Sequence, residues 1–519
     1  MFAADIAFSD LKAPVDIVGG SLSLGSSRIT PFAHRMLRSL VIETGTTISV
    51  ACMERFRDDP QGLDHIRLND RRAIAERLDD IRSHLLDWAL LTLDRVDGTI
   101  SYETSQIHSA PVYLRAASGR LAIDWDCTRL LRDTQAPIHW PGLMAHIAGL
   151  APYTPETLVT GLYRSLAGAR LVARGQSIEA HLPAPAEMPG AQTLSQGASA
   201  ENLLFDTVKA LLAARDVDPR QLAVELSGGM DSALVGLAAA DIWGTGLLSY
   251  GAQFDGAMGD AQRERRQLLC DHCGFEDIAL PASRFLPFSP RGARRGQFGV
   301  WPQDESYPEI FETIFDLLYR AGIDTLVSGF GGDELYAVYL GEEPDDDGES
   351  PPERHAYLTE HGRELAREGA GAGLRGLVAD TSWLSAAGRS QRLLRRGIWP
   401  IYPYINPVLA RFTASLPWEY RRDRTVLRRL LSERLGNPVF EKSYVKESFR
   451  DVALRGIIEH RDYLQAMLLR SPIFDPEMIH RDRLLAALAG DIEALPSADF
   501  GFLFLILTTG CFFDGHEAE

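Results

Sequence analysis

Cysteine is scarce in this chain of 519 residues: there are five, Cys52, Cys127, Cys270, Cys273 and Cys511. So few, so widely spaced, do not suggest a disulfide scaffold. Cys270-Asp271-His272-Cys273 is a lone C-x-x-C, and zinc would want a second pair at suitable spacing, which is missing. Two thiols on one helix of an intracellular protein explain it; a redox or sulfur-transfer role is the other reading. Long apolar runs are also missing. The start, MFAADIAFSD, has no basic n-region. The longest apolar stretch, near Phe500 to Phe513, contains Thr508, Thr509 and Gly510 and is too short to span a bilayer. It predicts a buried C-terminal helix, and the cytoplasm is the expected compartment. Positive charge is short as well: the net charge is −18. That opposes non-specific binding to nucleic acid. Arg291, Arg294 and Arg295 cluster in one predicted loop, read as a solvated turn, with a local basic groove as the alternative. What is present, 45% hydrophobic and 24% charged residues, is the composition of a soluble globular chain. Its length allows two or three domains.

The informative stretch is residues 221–242, QLAVELSGGMDSALVGLAAADI. A short apolar run, Leu222 to Leu226, leads into Ser227-Gly228-Gly229-Met230-Asp231-Ser232, and apolar residues at helical spacing follow from Ala233 to Ile242. Strand, glycine turn and helix are predicted in that order, with function at the turn. Two glycines let the backbone bend sharply and approach a ligand without Cβ clashes. N–H groups of the turn and of the new helix would converge on one spot, which suits an anion. Ser227 and Ser232 add hydroxyl donors. Asp231 would repel a phosphate directly. It fits if a Mg²⁺ lies between them, since Mg²⁺ favours one or two carboxylates plus phosphate oxygens. No Gly-Lys-Ser/Thr closes the loop, so this is not the Walker pattern.

From about residue 203 helix-like and strand-like segments alternate. Helices are predicted over Leu203–Arg215, Asp260–Cys273 and Pro308–Ala321, and further strands over Leu247–Ala252, Ile278–Leu280 and Asp324–Val327. Such alternation predicts an α/β fold with a doubly wound parallel sheet. Ligands in such sheets bind at the carboxyl ends of the strands. A second glycine motif, Ser328-Gly329-Phe330-Gly331-Gly332-Asp333-Glu334, directly follows the last of these strands. It offers another backbone approach and another carboxylate, so Asp231 and Asp333 could share one Mg²⁺. Residues 341–353, GEEPDDDGESPPE, are predicted as a solvated acidic loop, with a lid as the alternative. Beyond 355 the chain reads as helical.

SGGxDS followed by SGxGGDE, each after a strand, resembles the paired signatures of the asparagine synthetase superfamily of ATP pyrophosphatases. The resemblance implies an ATP-binding synthetase domain over residues 203–519 with a helical C-terminal part, and ATP and Mg²⁺ as cofactors. It implies nucleotide contacts from Leu226, Ser227, Gly228, Gly229, Asp231, Ser232, Ser328, Gly329, Phe330 and Gly331, with Asp231 and Asp333 on the metal. Tyr250 of LLSYG would offer an adenine-side contact; an aromatic in the core at a strand end is the other reading. GIWPIYPYINPVLARF resembles the family segment built on a PFLD-like turn before a helix, here Pro403-Tyr404-Ile405-Asn406. Asn406 replaces the family's acid, and Trp399 matches a glutamate upstream. FEKSYVKESF resembles the family's lysine segment. This implies that Lys446, with Lys442 as the fallback, neutralises charge growing on the α-phosphate and the departing pyrophosphate; a surface lysine is the plain alternative.

Residues 1–185 mix short apolar runs with turns. Helical spacing runs from Arg71 to Leu93. Strand-like pieces follow at Gly98–Glu103, Ala110–Arg115, Leu121–Trp125 and Ala169–Ala173, which predicts an α+β domain. GTISYETSQIHSAPVYLRAASGRLAIDWDCTRLL resembles a strand–turn–strand–helix run of the Ntn-type glutaminase domain in asparagine synthetases. That glutaminase uses a cysteine exposed after Met removal. Here position 2 is Phe2 and the first cysteine is Cys52, so the resemblance implies a degenerate glutaminase-like domain without its nucleophile. It would serve as a scaffold or as a surface for the acceptor or a partner. Residues 186–202, inside a Pro-, Ala-, Gly- and Ser-rich stretch, read as the linker.

The chemistry implied is adenylation. A substrate carboxylate attacks the α-phosphate of ATP and pyrophosphate leaves; an amine then attacks the acyl-adenylate and AMP leaves. The amine must be unprotonated, so a base or a water path is expected near Phe330. The x of SGxGGD is Glu in asparagine synthetases and Tyr in β-lactam synthetases, where it works with a downstream Glu. Phe330 accepts no proton and Trp399 stands at the downstream position. The layout is similar to the lasso-peptide macrolactam synthetases, which join an Asp or Glu side chain of a peptide to its own N-terminal amine. That likeness implies a peptide substrate, a place in natural-product biosynthesis and a leader-peptide protease as partner. Three alternatives stay open: an amide or β-lactam-forming ligase for a small-molecule carboxylate, a sulfur-transferring tRNA-modifying enzyme prompted by Cys270 and Cys273, and a silent nucleotide-binding protein.

Overall fold

A computed structural model describes residues 1–131, 137–150, 153–294, 299–336, 356–371, 373–374, 376–441 and 447–514. Up to His181 the strands form two seven-stranded sheets. They face each other across one core, where Phe2, Leu22 and Ile29 of the first sheet meet Val50, Leu91 and Ile100 of the second. Pairing is antiparallel throughout, except that the edge strand Gly62–Arg67 runs parallel to Leu37–Glu43.

One segment corrects the sequence reading. The helix from Arg71 stops at Arg82, and Trp88–Asp94 is a strand inside the second sheet. The reason is burial on both faces. Ala89, Leu91 and Leu93 enter the large inter-sheet core, while Trp88 and Leu90 enter a smaller cluster with Ile81 of the helix. A strand covered on both sides carries no polar alternation, so its apolar run extends the helical pattern without a break.

Residues between His181 and Ala200 carry no helix or strand, and a helix then runs over Ala200–Ala213, capped by Ser199. The parallel sheet follows. Leu222–Glu225 lies at its centre; the chain adds Leu248–Gln253 and then Glu276–Pro281 on one side. It then crosses over to add Thr325–Val327 and Trp399–Ile401 on the other. The winding reverses between Leu222–Glu225 and Thr325–Val327, which opens a crevice at their carboxyl ends. The fifth strand is the second correction: Trp399–Ile401 lies in a region read as helical. It is three residues long and fully buried, too short to show any period.

The two parts of the chain are tied by buried charge. Arg215, at the end of the Ala200–Ala213 helix, forks onto Glu54 of the sandwich at 2.8 to 3.1 Å. The Trp399 indole N–H donates to the same carboxylate at 2.7 Å. Arg35 makes a second fork onto Asp324. Breaking the buried Arg215–Glu54 pair from one side costs about 3–5 kcal/mol, because the remaining charge is stranded. The C-terminal helix Ser497–Phe513 is buried nearly all round, as expected. Among the described residues no helix is long and apolar enough to cross a membrane.

Candidate active site

Both glycine motifs sit where the winding reverses. Ser227–Gly229 bends out of the central strand, and Met230, Asp231 and Ser232 form the first turn of the helix Met230–Trp243. That helix is apolar on every side because it is enclosed: Ala233 to Ala239 are all buried. The second motif leaves Thr325–Val327, the neighbouring strand. Gly228 and Gly331 each hold φ near +88°, at +87° and +88°, a region open to glycine at little cost. The bends interlock. A Cβ on Gly329 would lie 2.8 Å from the Ser232 nitrogen, and one on Gly332 would overlap the Asp231 carboxylate. Tyr404, in the short turn Pro403–Ile405, donates its hydroxyl to the Asp231 carbonyl at 2.9 Å.

A cavity of about 740 Å³ opens over the bends. Ser227, Gly229, Asp231, Ser232, Gly329, Phe330, Gly331 and Asp333 line it. Leu226, Gly228, Tyr250 and Ser328 lie beneath this lining. Leu226 and Ser328 are fully buried; the Leu226 N–H donates to the Tyr250 carbonyl, and the Ser328 hydroxyl donates to Glu225. Gly228 presents its carbonyl to Arg265 at 2.8 Å. Tyr250 is 0% exposed with its ring edge on Phe315, so the core reading fits it and the adenine contact has no surface to act through. The two serines also differ from expectation. The Ser232 hydroxyl accepts the Ser227 N–H at 3.1 Å and the Ser227 hydroxyl accepts the Gly229 N–H at 3.2 Å. They brace the loop and occupy two of the N–H groups expected to face an anion.

The predicted cation position holds an arginine. Arg424 donates to Asp231 at 2.9 Å and also bridges to Asp333. Burial works against its charge, but Asp231 and Asp333 outweigh that and hold the guanidinium above its ordinary range. The backbone is strained to put it there: Asp423 and Arg424 have φ of 51° and 54°, left-handed values that cost a non-glycine residue about 1–2 kcal/mol each. Nothing local in the sequence signals this pairing.

A second arginine also lines the cavity. Arg389, on the helix Asp380–Leu394, is 1% exposed. Its guanidinium lies between the rings of Phe330 and Phe311, 4.0 Å from each centroid. It donates to Glu305 Oε2 from Nε at 2.8 Å and from Nη2 at 2.5 Å, and its third nitrogen pairs with Glu225. Ion pairs and ring contacts this deep fix its rotamer.

The chain matches no protein-family model and no curated protein sequence. The remaining sequence-derived residues are placed as follows. Lys442 and Lys446 lie outside the described residues, as does the acidic run 341–353. Glu447, next to Lys446, lines the cavity and pairs with Arg265. Trp399 points away from the cavity into the contact with Glu54. Cys270 and Cys273 are buried, and burial pushes the Cys273 thiol up to about 12, so neither is poised as a thiolate. Arg294 is no part of a basic groove: it is buried against Phe288 and paired with Glu309. Among the described residues no three His, Cys, Asp or Glu side chains are grouped to hold a metal.

Proposed function

We propose that this chain is an ATP-dependent, AMP-forming amide ligase of the asparagine synthetase type. On this reading the two-sheet sandwich is a degenerate glutaminase-like domain and the rest is the synthetase domain. The substrate is a peptide whose Asp or Glu side chain is joined to its own N-terminal amine, and a leader-peptide protease acts beside it. One observation carries the proposal: the two serine–glycine bends interlock at the switch point of a parallel sheet, with Asp231 and Asp333 facing one cation. A triphosphate laid on the helix N-terminus would meet that cation.

Mg²⁺ fits the donor set. Asp231 and Asp333 are two carboxylates against one guanidinium, and Mg²⁺ uses one or two carboxylates together with phosphate oxygens, so no third acidic ligand is needed. Bound there, it would offset charge on the β- and γ-phosphates. The protein's own part is positional. The braced Ser227–Ser232 loop holds the pyrophosphate, Arg424 stays within reach of it, and Lys446 takes the charge-neutralising role that the family resemblance implies. Glutamine-derived ammonia fits poorly. Cys52 is fully buried in the sandwich core, and burial pushes its thiol up to about 11. Sulfur transfer fits no better, given the buried Cys270 and Cys273.

The test is ATP–pyrophosphate exchange with peptides that carry one Asp or Glu. Asp231→Asn and Lys446→Ala should each lower exchange about 10²–10³-fold while leaving the fold intact. Wild-type exchange in both variants would overturn the proposal. Mass spectrometry of the product then separates a macrolactam, lighter by one water, from an amide of a small molecule.

A further inference from the structure

The half of the cavity beside Phe330 carries an unbalanced charge. Glu225 and Glu305 line it with Arg389 between them, two carboxylates against one guanidinium, so one negative charge is left over. The Glu225 and Glu305 side chains are only 12% and 8% exposed, so water does little to offset it. Arg389 cannot move to serve elsewhere, since both of its faces are covered by phenyl rings. The Tyr250 hydroxyl, fully buried beneath the lining and without a hydrogen-bond partner, does not offset that charge either. Aromatic rings line the same cavity: Tyr307, whose N–H meets Glu305, stacks on Phe449 at 4.1 Å. A buried surplus negative charge beside aromatic rings is a seat for a cation.

The two carboxylates are not equivalent. Glu225 commits one oxygen to Arg389 and the other to Ser328. Glu305 takes both Arg389 bonds on Oε2 and leaves Oε1 with one long contact, 3.3 Å from the Tyr307 N–H. Resting on the ligase reading above, we infer that the acceptor nitrogen enters this half of the cavity as an ammonium ion and that Glu305 takes one of its protons.

The step balances. Glu305 Oε1 accepts a proton from the ammonium group, giving a neutral amine and a carboxylic acid. The amine lone pair forms the N–C bond at the acyl carbon. The C–O bond to the adenylate breaks, and its electron pair leaves on the AMP phosphate, which collects the second nitrogen proton. Glu305 supplies the base that neither Phe330 nor Trp399 can be, and the acceptors it suits are primary amines that are cations at neutral pH.

The experiment uses the full chain with ATP, Mg²⁺ and N-acetylated peptides carrying one internal Asp or Glu. Two acceptors compete: hydroxylamine, a free base at neutral pH, and phenethylamine, an ammonium ion there. Glu305→Gln keeps one acceptor oxygen for the two Arg389 bonds. It should lower the phenethylamide-to-hydroxamate ratio about 100-fold. In the unmodified chain that ratio should stay nearly flat as pH rises from neutrality. In the variant it should climb about tenfold per pH unit, as the free amine fraction grows. An unchanged ratio in the variant, or a tenfold climb in the unmodified chain, overturns the role of Glu305 and leaves the ligase standing. No hydroxamate and no exchange from any peptide with the unmodified chain would instead overturn the ligase reading, and this role with it.

Discussion

The cavity is lined by the same device twice, built in opposite ways. Arg424 sits between Asp231 and Asp333; Arg389 sits between Glu225 and Glu305. Each is one guanidinium against two carboxylates. Arg424 hangs on a short strained strap, with its side chain 23% exposed and Asp333 44% exposed. Arg389 comes from the middle of a long helix, with its side chain 2% exposed and rings on both faces. Water screens the first group and not the second, so the first pairing is exchangeable and the second is fixed. On the ligase reading, the first can trade its cation for another and the second can only add one.

Breaking the fixed pairing should have the largest effect. Arg389→Met strands two nearly buried carboxylates and is expected to cost about 3–5 kcal/mol of stability, read as a fall in the urea midpoint. The exchangeable pairing should behave otherwise. Arg424→Ala loses a partly solvated pairing while alanine keeps the Cβ that bears the left-handed strain, so stability should change by less than about 1 kcal/mol. On the proposed ligase reading its effect falls on the phosphates, and exchange should fall roughly 10- to 100-fold. Half-saturation should need less Mg²⁺, because no resident guanidinium competes for Asp231 and Asp333. A higher Mg²⁺ requirement in Arg424→Ala would mean that the arginine recruits the metal's ligands rather than rivals them.

The same contrast explains what the sequence made legible. The Ser227–Ser232 bend could be read because a strand, two glycines and an apolar helix are consecutive, and each step follows from local backbone chemistry. Its neighbour Ser328–Glu334 could be read for the same reason. That the bends meet follows from the winding order, which alternating periods predict. Arg424 and Arg389 left no such trace. Arg424 reaches Asp231 from a segment with no period or motif of its own, and Arg389 looks like any arginine on an amphipathic helix until Phe311, Phe330 and two distant glutamates close around it. Ion pairing over long sequence separations depends on the fold rather than on spacing. The misreading at Trp88–Asp94 is the converse case: the local pattern was clear, but two cores, one on each face, produced it. Tyr250 was ambiguous because a strand-end aromatic suits a ligand and a core equally, and only the depth of the sheet decides.

A third copy of the device, in the sandwich core, gives the smallest and most selective test. Glu54 and Asp87 lie together with one guanidinium, Arg215, which forks onto Glu54 alone. Asp87 accepts from the Ser105 hydroxyl at 2.5 Å and from the Ser109 N–H at 2.7 Å, but from no arginine. Burial first, and then the Glu54 charge, raise its carboxyl to about 6 from an ordinary value of 3.8. Between those values the folded chain keeps a proton that the unfolded chain has released. Stability from this group is therefore full below about pH 4, is lost as pH rises towards 6, and changes no further above that, by an amount on the order of 3 kcal/mol. The slope is opposite to that of a carboxylate stabilised by a salt bridge, whose contribution is lost as pH falls. Urea melts across that window should show it, and Asp87→Asn should remove it whatever the variant does to absolute stability. If the slope survives the substitution, the proton is held elsewhere in the core. Arg215 would then neutralise both carboxylates of its cluster, unlike the two arginines of the cavity.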